Sequence, residues 1–249
     1  MSTYGVSQTT INPVVVDAYD LAEGECDALL HGMSSAKAAA LAHDIAGIPR
    51  HGISGASAWA QVDAAMPGWQ EHLPKTSLDA MAAARCGDIP LPAALSAVTG
   101  DLGAIERLAV TSISMKVLGE MGAPSPMRVD GSRTSAIEAA IGHATMLIRI
   151  ADQGAIETEY IGLADGSCND LQQEFAARMR SHGVLFDEQV NVQHHDPRGG
   201  ALAQDAARVG GPSRAAALVA DGDSKPSTFT TSLFAPTSSA RQRAAEGGR

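Results

Sequence analysis

From Thr145 onward the chain changes its hydrophobic period, and no other feature constrains its fold as much. In TMLIRI, Met146, Ile148 and Ile150 alternate with Leu147 and Arg149; in AIETEYIG, Ile156, Thr158 and Tyr160 alternate with Glu157 and Glu159. Alternation at period two marks strands with two unlike faces, and DQG between the runs reads as their turn. The acidic face of the second strand is expected to see solvent. Ser167 as N-cap and Asp170 in the first turn then start a helix. Its Leu171, Phe175 and Met179 recur every four residues, giving one apolar face. VLFDEQVNVQ reads as a third strand, so residues 144–196 are expected to form a ββαβ module.

Upstream the pattern is helical. Residues 1–12 are polar and read as a flexible N-terminus, and 13–143 read as an alanine-rich helical domain. Its expected helices are VVVDAYDLAEGECDALLHGM, SSAKAAALAHDIAG, GASAWAQVDAAM, TSLDAMAAARCG with Gly87 as its C-terminal glycine, and DLGAIERLAVTSISMKVLGEMG with Asp101 as N-cap. Ser135 and Glu138 frame a capping box for a further helix, SAIEAAIG. Downstream, 197–249 turns to Ala, Gly, Ser and Pro and reads as a largely disordered, low-complexity tail. The fold class is therefore α+β: a helical domain, a small ββαβ module and a tail.

Composition narrows the partners. Aromatic residues make up 4% of the 249, so the core rests on small and aliphatic side chains. At roughly 25 cal/mol per Å² an alanine-lined core gains little per residue, and oligomerisation or a protein partner is expected to supplement it. The net charge of −10 is uneven: the first 196 residues carry 11 Lys and Arg against 24 Asp and Glu, which disfavours nucleic acid, whereas 197–249 carries seven Lys and Arg against four Asp and Glu. Cys26, Cys86 and Cys168 stand far apart without a CxxC pair, which fits a reducing, cytoplasmic compartment rather than a disulfide framework. No signal peptide is visible, and no apolar run reaches the roughly 18 residues of a membrane span.

Gly154 in the turn, Gly162 after the second strand and Gly166-Ser167-Cys168 at the helix start resemble a small bacterial domain family of unknown function, over about residues 146–196. The resemblance implies a β-hairpin followed by a helix. It implies no established activity, and it is similar to proteins found beside an ATPase of the AAA type, which implies an accessory role. The family's members are short free-standing chains, whereas here about 145 residues precede the domain.

The residues that could carry chemistry have structural readings beside them. Cys168 sits at a helix N-terminus, where unpaired N–H groups favour a thiolate, yet Asp165 and Asp170 oppose ionisation. Ser34-Ser35-Ala36-Lys37 matches S-x-x-K without the companion motifs of a penicillin-binding site. HGISGAS lacks the strand that a nucleophile elbow requires, and Ser54 reads better as an N-cap. His194, His195 and Asp196 are weak metal candidates, because adjacent strand residues point to opposite faces. No cofactor motif is present. In the tail, Phe229, Leu233 and Phe234 stand out within STFTTSLFAP, so 227–236 reads as a docking segment. The sequence thus leans away from an enzyme and toward an accessory, adaptor or structural subunit. The alternatives are a thiol- or histidine-dependent enzyme or redox protein centred on Cys168, and a capsid or shell component.

Overall fold

A computed structural model describes residues 6–11, 35–48, 55–68, 70, 73–152, 155–163, 167–189 and 200–224. Three short helices come first after an initial strand β1 (Val6–Ile11): α1 (Ser35–Ala46), α2 (Ala56–Ala65) and α3 (Lys75–Cys86). Helix α3 ends as its sequence dictates. Gly87 takes φ 86°, its N–H reaches Ala84 O, and Asp88 N–H reaches Ala83 O at 2.9 Å. This left-handed cap satisfies the last carbonyls.

Helix α4 (Leu91–Glu120) is 30 residues long and belongs to two cores. Its first half places Leu95, Val98, Leu102 and Ile105 against Leu41 and Ile45 of α1, Val62 of α2 and Met81 of α3. Its second half places Val110, Ile113, Val117 and Leu118 against the sheet. The expected start at Asp101 is corrected: Pro90 is the N-cap and Pro92 lies in the first turn, where a missing N–H costs nothing. Asp101 lies inside the helix and accepts the Ser77 hydroxyl of α3 at 2.7 Å.

The sheet comprises β1, β2 (Met127–Asp130), β3 (Thr134–Ile141), β4 (Ala144–Ala151), β5 (Ile156–Ile161) and β6 (Val184–Gln189), in the order β2-β3-β4-β5-β1-β6. Every described pairing is antiparallel. The expected α+β class holds, with three changes inside it. SAIEAAIG is strand β3, not a helix: Gly142 at φ 60° and His143 make a two-residue turn, and all eight residues of β3 pair with β4. Helix-favouring alanines yield here to tertiary pairing. Residues 6–11, read as a flexible end, form β1 between β5 and β6, so the expected third strand β6 is not a neighbour of the hairpin. The module accordingly begins before residue 144 and draws in the N-terminus.

The two sheet faces are both covered. Met146, Ile148, Ile150 and Ile156 meet α4 and helix α5 (Ser167–Ser181), whose Phe175 and Met179 are fully buried. The opposite face, with Ala136 and Leu147, is covered by α6 (Ala201–Val209) and α7 (Arg214–Ser224) through Leu202, Ala206, Ala215 and Leu218. The low-complexity reading of 197–249 is thereby corrected over 200–224. Alanine is poor in burial but permits close approach. A Cβ built on Gly222 of α7 would lie 2.5 Å from Thr134 Oγ1 and 3.0 Å from its Cβ. Thr134 is itself buried, so its side chain has little room to give way. Gly222→Ala is expected to destabilise the protein by about 1–3 kcal/mol, read as a lower denaturation midpoint at unchanged slope.

Candidate functional site

Both glutamates of β5 are buried, contrary to their expected exposure. Glu159 is 1% exposed and lies under the N-terminus of α6, where its carboxylate accepts Gly200 N–H at 2.6 Å, Leu202 N–H at 2.8 Å and Ala203 N–H at 3.4 Å. Gly200, the N-cap residue, has no side chain to do this itself, so a carboxylate 41 residues away supplies the cap. Glu157 is bound by Arg149 of β4, whose guanidinium also faces Asp221 of α7 at 3.2 Å and Asp205 of α6 at 3.7 Å. Burial opposes the charge on Arg149, but the hydrogen bond to Glu157 and the three carboxylates outweigh it and raise its pKa. Arg208 of α6 closes the network on Asp221.

A second polar cluster ties α4 and α7 to the β2–β3 turn. Arg107 is 3% exposed and donates to Asp152 at 2.9 Å, Gly131 O at 3.1 Å and the Ser135 hydroxyl at 3.0 Å. Burial raises the Asp152 pKa despite that pairing. Asp223 behaves in the opposite sense. Partial burial pushes it up, but the N–H groups of Arg133 and Ser132, then the Ser132 hydroxyl and the Arg107 charge, bring it below the usual carboxylate value. A depressed folded pKa contributes stability that is present above the unfolded value near ~3.9 and is lost as pH falls through the folded value. Asp223→Asn is therefore expected to lower the thermal midpoint at pH 6, with the gap to the native protein narrowing below about pH 3.9. The raised Asp152 contributes with the opposite sign, so the comparison belongs to the Asp223 variant alone.

Among the described residues the candidates for chemistry do not assemble. Cys168 is the second residue of α5, half-buried, with a free thiol beside Tyr160. Burial, and secondarily the thiol, pushes the Tyr160 phenol well above its ordinary pKa, and its hydroxyl donates to Gln172 Oε1 at 2.9 Å. Among the described residues, no hydrogen bond or ion pair joins Cys168 to a histidine. His182 lies beyond the other end of α5, some 20 Å away along the helix axis, and faces Glu120 of α4 at 3.0 Å. His143 stands exposed in the β3–β4 turn. Ser35 is the first residue of α1, and Gly55 rather than Ser54 is the N-cap of α2. Gly162 takes φ 85° after β5. Cys26, Ser34, Ser54, Gly154, Gly166, the trio His194, His195 and Asp196, and the tail residues Phe229, Leu233 and Phe234 lie outside the described residues.

The described surface includes a groove of about 600 Å³ between the start of β2 and the α6–α7 connection. Its lining includes Met127, Ala203, Ala207 and Gly210 together with Glu138 and Arg214. The Arg214 backbone N–H donates to Glu138 Oε2 at 3.2 Å and the guanidinium lies 3.8 Å from Oε1, so the two charges offset each other. Sequence reading missed this groove because α6 and β3, which form its sides, were read as tail and as helix. Among the described residues, no group of three or more His, Cys, Asp or Glu side chains could hold a metal ion, and no helix is long and apolar enough to cross a membrane. Comparison with protein-family models, curated proteins and solved structures finds no match for this chain.

Proposed function

We propose that this protein is an accessory, adaptor or structural subunit of a larger protein assembly, docking in part through residues 227–236. One observation carries the reading. Among the described residues the large exposed hydrophobic side chains are Met127, Leu185 and Val209, at 49%, 45% and 39% exposure. Met127 and Leu185 belong to β2 and β6, the two outermost described strands of the sheet. Val209 ends α6, next to the groove. An exposed apolar side chain on an outermost strand is where strand addition and partner burial begin. The polar side chains inside the fold support the same reading, since Arg149, Glu157, Glu159 and Arg107 hold one element against another.

The test compares the native chain with a deletion of 225–240, which spares Asp223 and its contacts. Native mass spectrometry and the proteins co-purified from source cells are the readouts. Loss of a stoichiometric partner, or a changed assembly state, is expected in the deletion. An identical partner set and mass would sink the reading.

A further inference from the structure

Strand β2 is paired on one side. Its partner is β3, from Met127 opposite Glu138 to Asp130 opposite Ser135, and no described strand lies beyond it. The outward N–H and C=O groups of such a strand are a template for another. Helix α7 determines which segment arrives there. It begins at Arg214, hydrogen-bonded to Glu138, and ends where Gly222 meets Thr134 and Asp223 accepts Ser132 and Arg133. Ser224 therefore releases the chain at the Asp130 end of β2, about 15 Å along the helix from the Met127 end. A segment continuing back along the edge runs antiparallel to β2, as every described neighbour in this sheet does.

The sequence after Ser224 suits that path. Pro226 favours an extended Lys225 and is tolerated at the first position of an edge strand. STFTT, residues 227–231, is rich in strand-favouring side chains and has no charge. Phe229 and Leu233 share one face of an extended chain and stand about 13 Å apart, enough to cover the four residues of β2. Residues 225–234 extend to roughly 33 Å, about twice the span required. The groove at the Met127 end presents Met127, Ala203, Ala206 and Ala207 beside a paired Glu138 and Arg214, which matches an uncharged occupant.

The geometry points to residues 227–232 of the same chain as an added strand on the open edge of β2, with Leu233 seated in the groove beside Met127. This goes beyond the adaptor reading: the tail covers its own sheet edge, and a partner that takes either the tail or the edge exposes the other.

Hydrogen exchange of the full chain tests it. The β2 amides of the dilute native protein are expected to exchange at least about tenfold more slowly than in the double variant Phe229→Asp, Leu233→Asp, while β4 amides stay unchanged. Equal rates at β2 in the two proteins would overturn the proposal, as would a loss of protection spread over the whole sheet. Protection of β2 that rises with protein concentration assigns the added strand to a second copy and likewise overturns placement within one chain. The result is independent of co-purification, so it can fail while the accessory role stands.

Discussion

Arg149→Met is expected to lower the stability of this protein by about 3–5 kcal/mol. The arginine is bound by Glu157 and faces Asp221 and Asp205, and it is the cation that lies between the sheet and both covering helices. Its removal leaves Glu157 and Asp221 buried without their principal countercharge, because Arg208 reaches Asp221 from an exposed position. Urea denaturation reads the loss as a lower midpoint. The triple variant Arg149→Met, Glu157→Gln, Asp221→Asn is expected to recover more than half of it. Much of the cost lies in stranded charges rather than in the pairs themselves. A triple variant as unstable as the single one would show that the arginine acts by packing instead.

Glu159→Ala carries the second largest expectation, about 2–4 kcal/mol. The side chain accepts three backbone N–H groups at the start of α6, and its loss leaves donors such as Leu202 N–H in a dry site. A lost N-cap alone costs about 0.5–2 kcal/mol, and buried unsatisfied donors add to that. Glu159→Gln keeps one acceptor oxygen and gives up the charge that the helix dipole favours, so roughly half the loss is expected. Hydrogen exchange separates the cap from general destabilisation. Amides of α6 should lose protection in Glu159→Ala under conditions where those of α3 keep theirs. Uniform loss across both helices would contradict a local capping role.

The parts of the fold that sequence made legible are those held by near neighbours. The hairpin of β4 and β5 and the apolar face of α5 follow from residues two or four apart, and Met146, Ile148, Ile150, Phe175 and Met179 are buried as their spacing requires. Gly87 ends α3 for a reason contained within one turn. The parts that stayed hidden depend on distant partners. Strand β1 is short and polar, VSQTTI, and becomes a strand because β5 and β6 offer edges some 150 and 180 residues later. Glu157 and Glu159 look like a solvated face until Arg149 and the start of α6 are known to lie opposite. Helix α6 escaped notice because Ala, Gly and Ser alone signal a tail, while Leu202 and Ala206 are buried against the far face of the sheet. Phe229, Leu233 and Phe234, proposed here to dock, are legible only as a contrast in composition.

The 30 residues of α4 make one continuous rod of about 45 Å, and its two ends are anchored in different cores. A flexible joint would let the α1–α3 cluster swing independently of the sheet; an unbroken helical backbone removes that freedom. Torque applied by a partner gripping α1–α3 is therefore delivered to the sheet through α4, alongside the direct contact of α1 with β1.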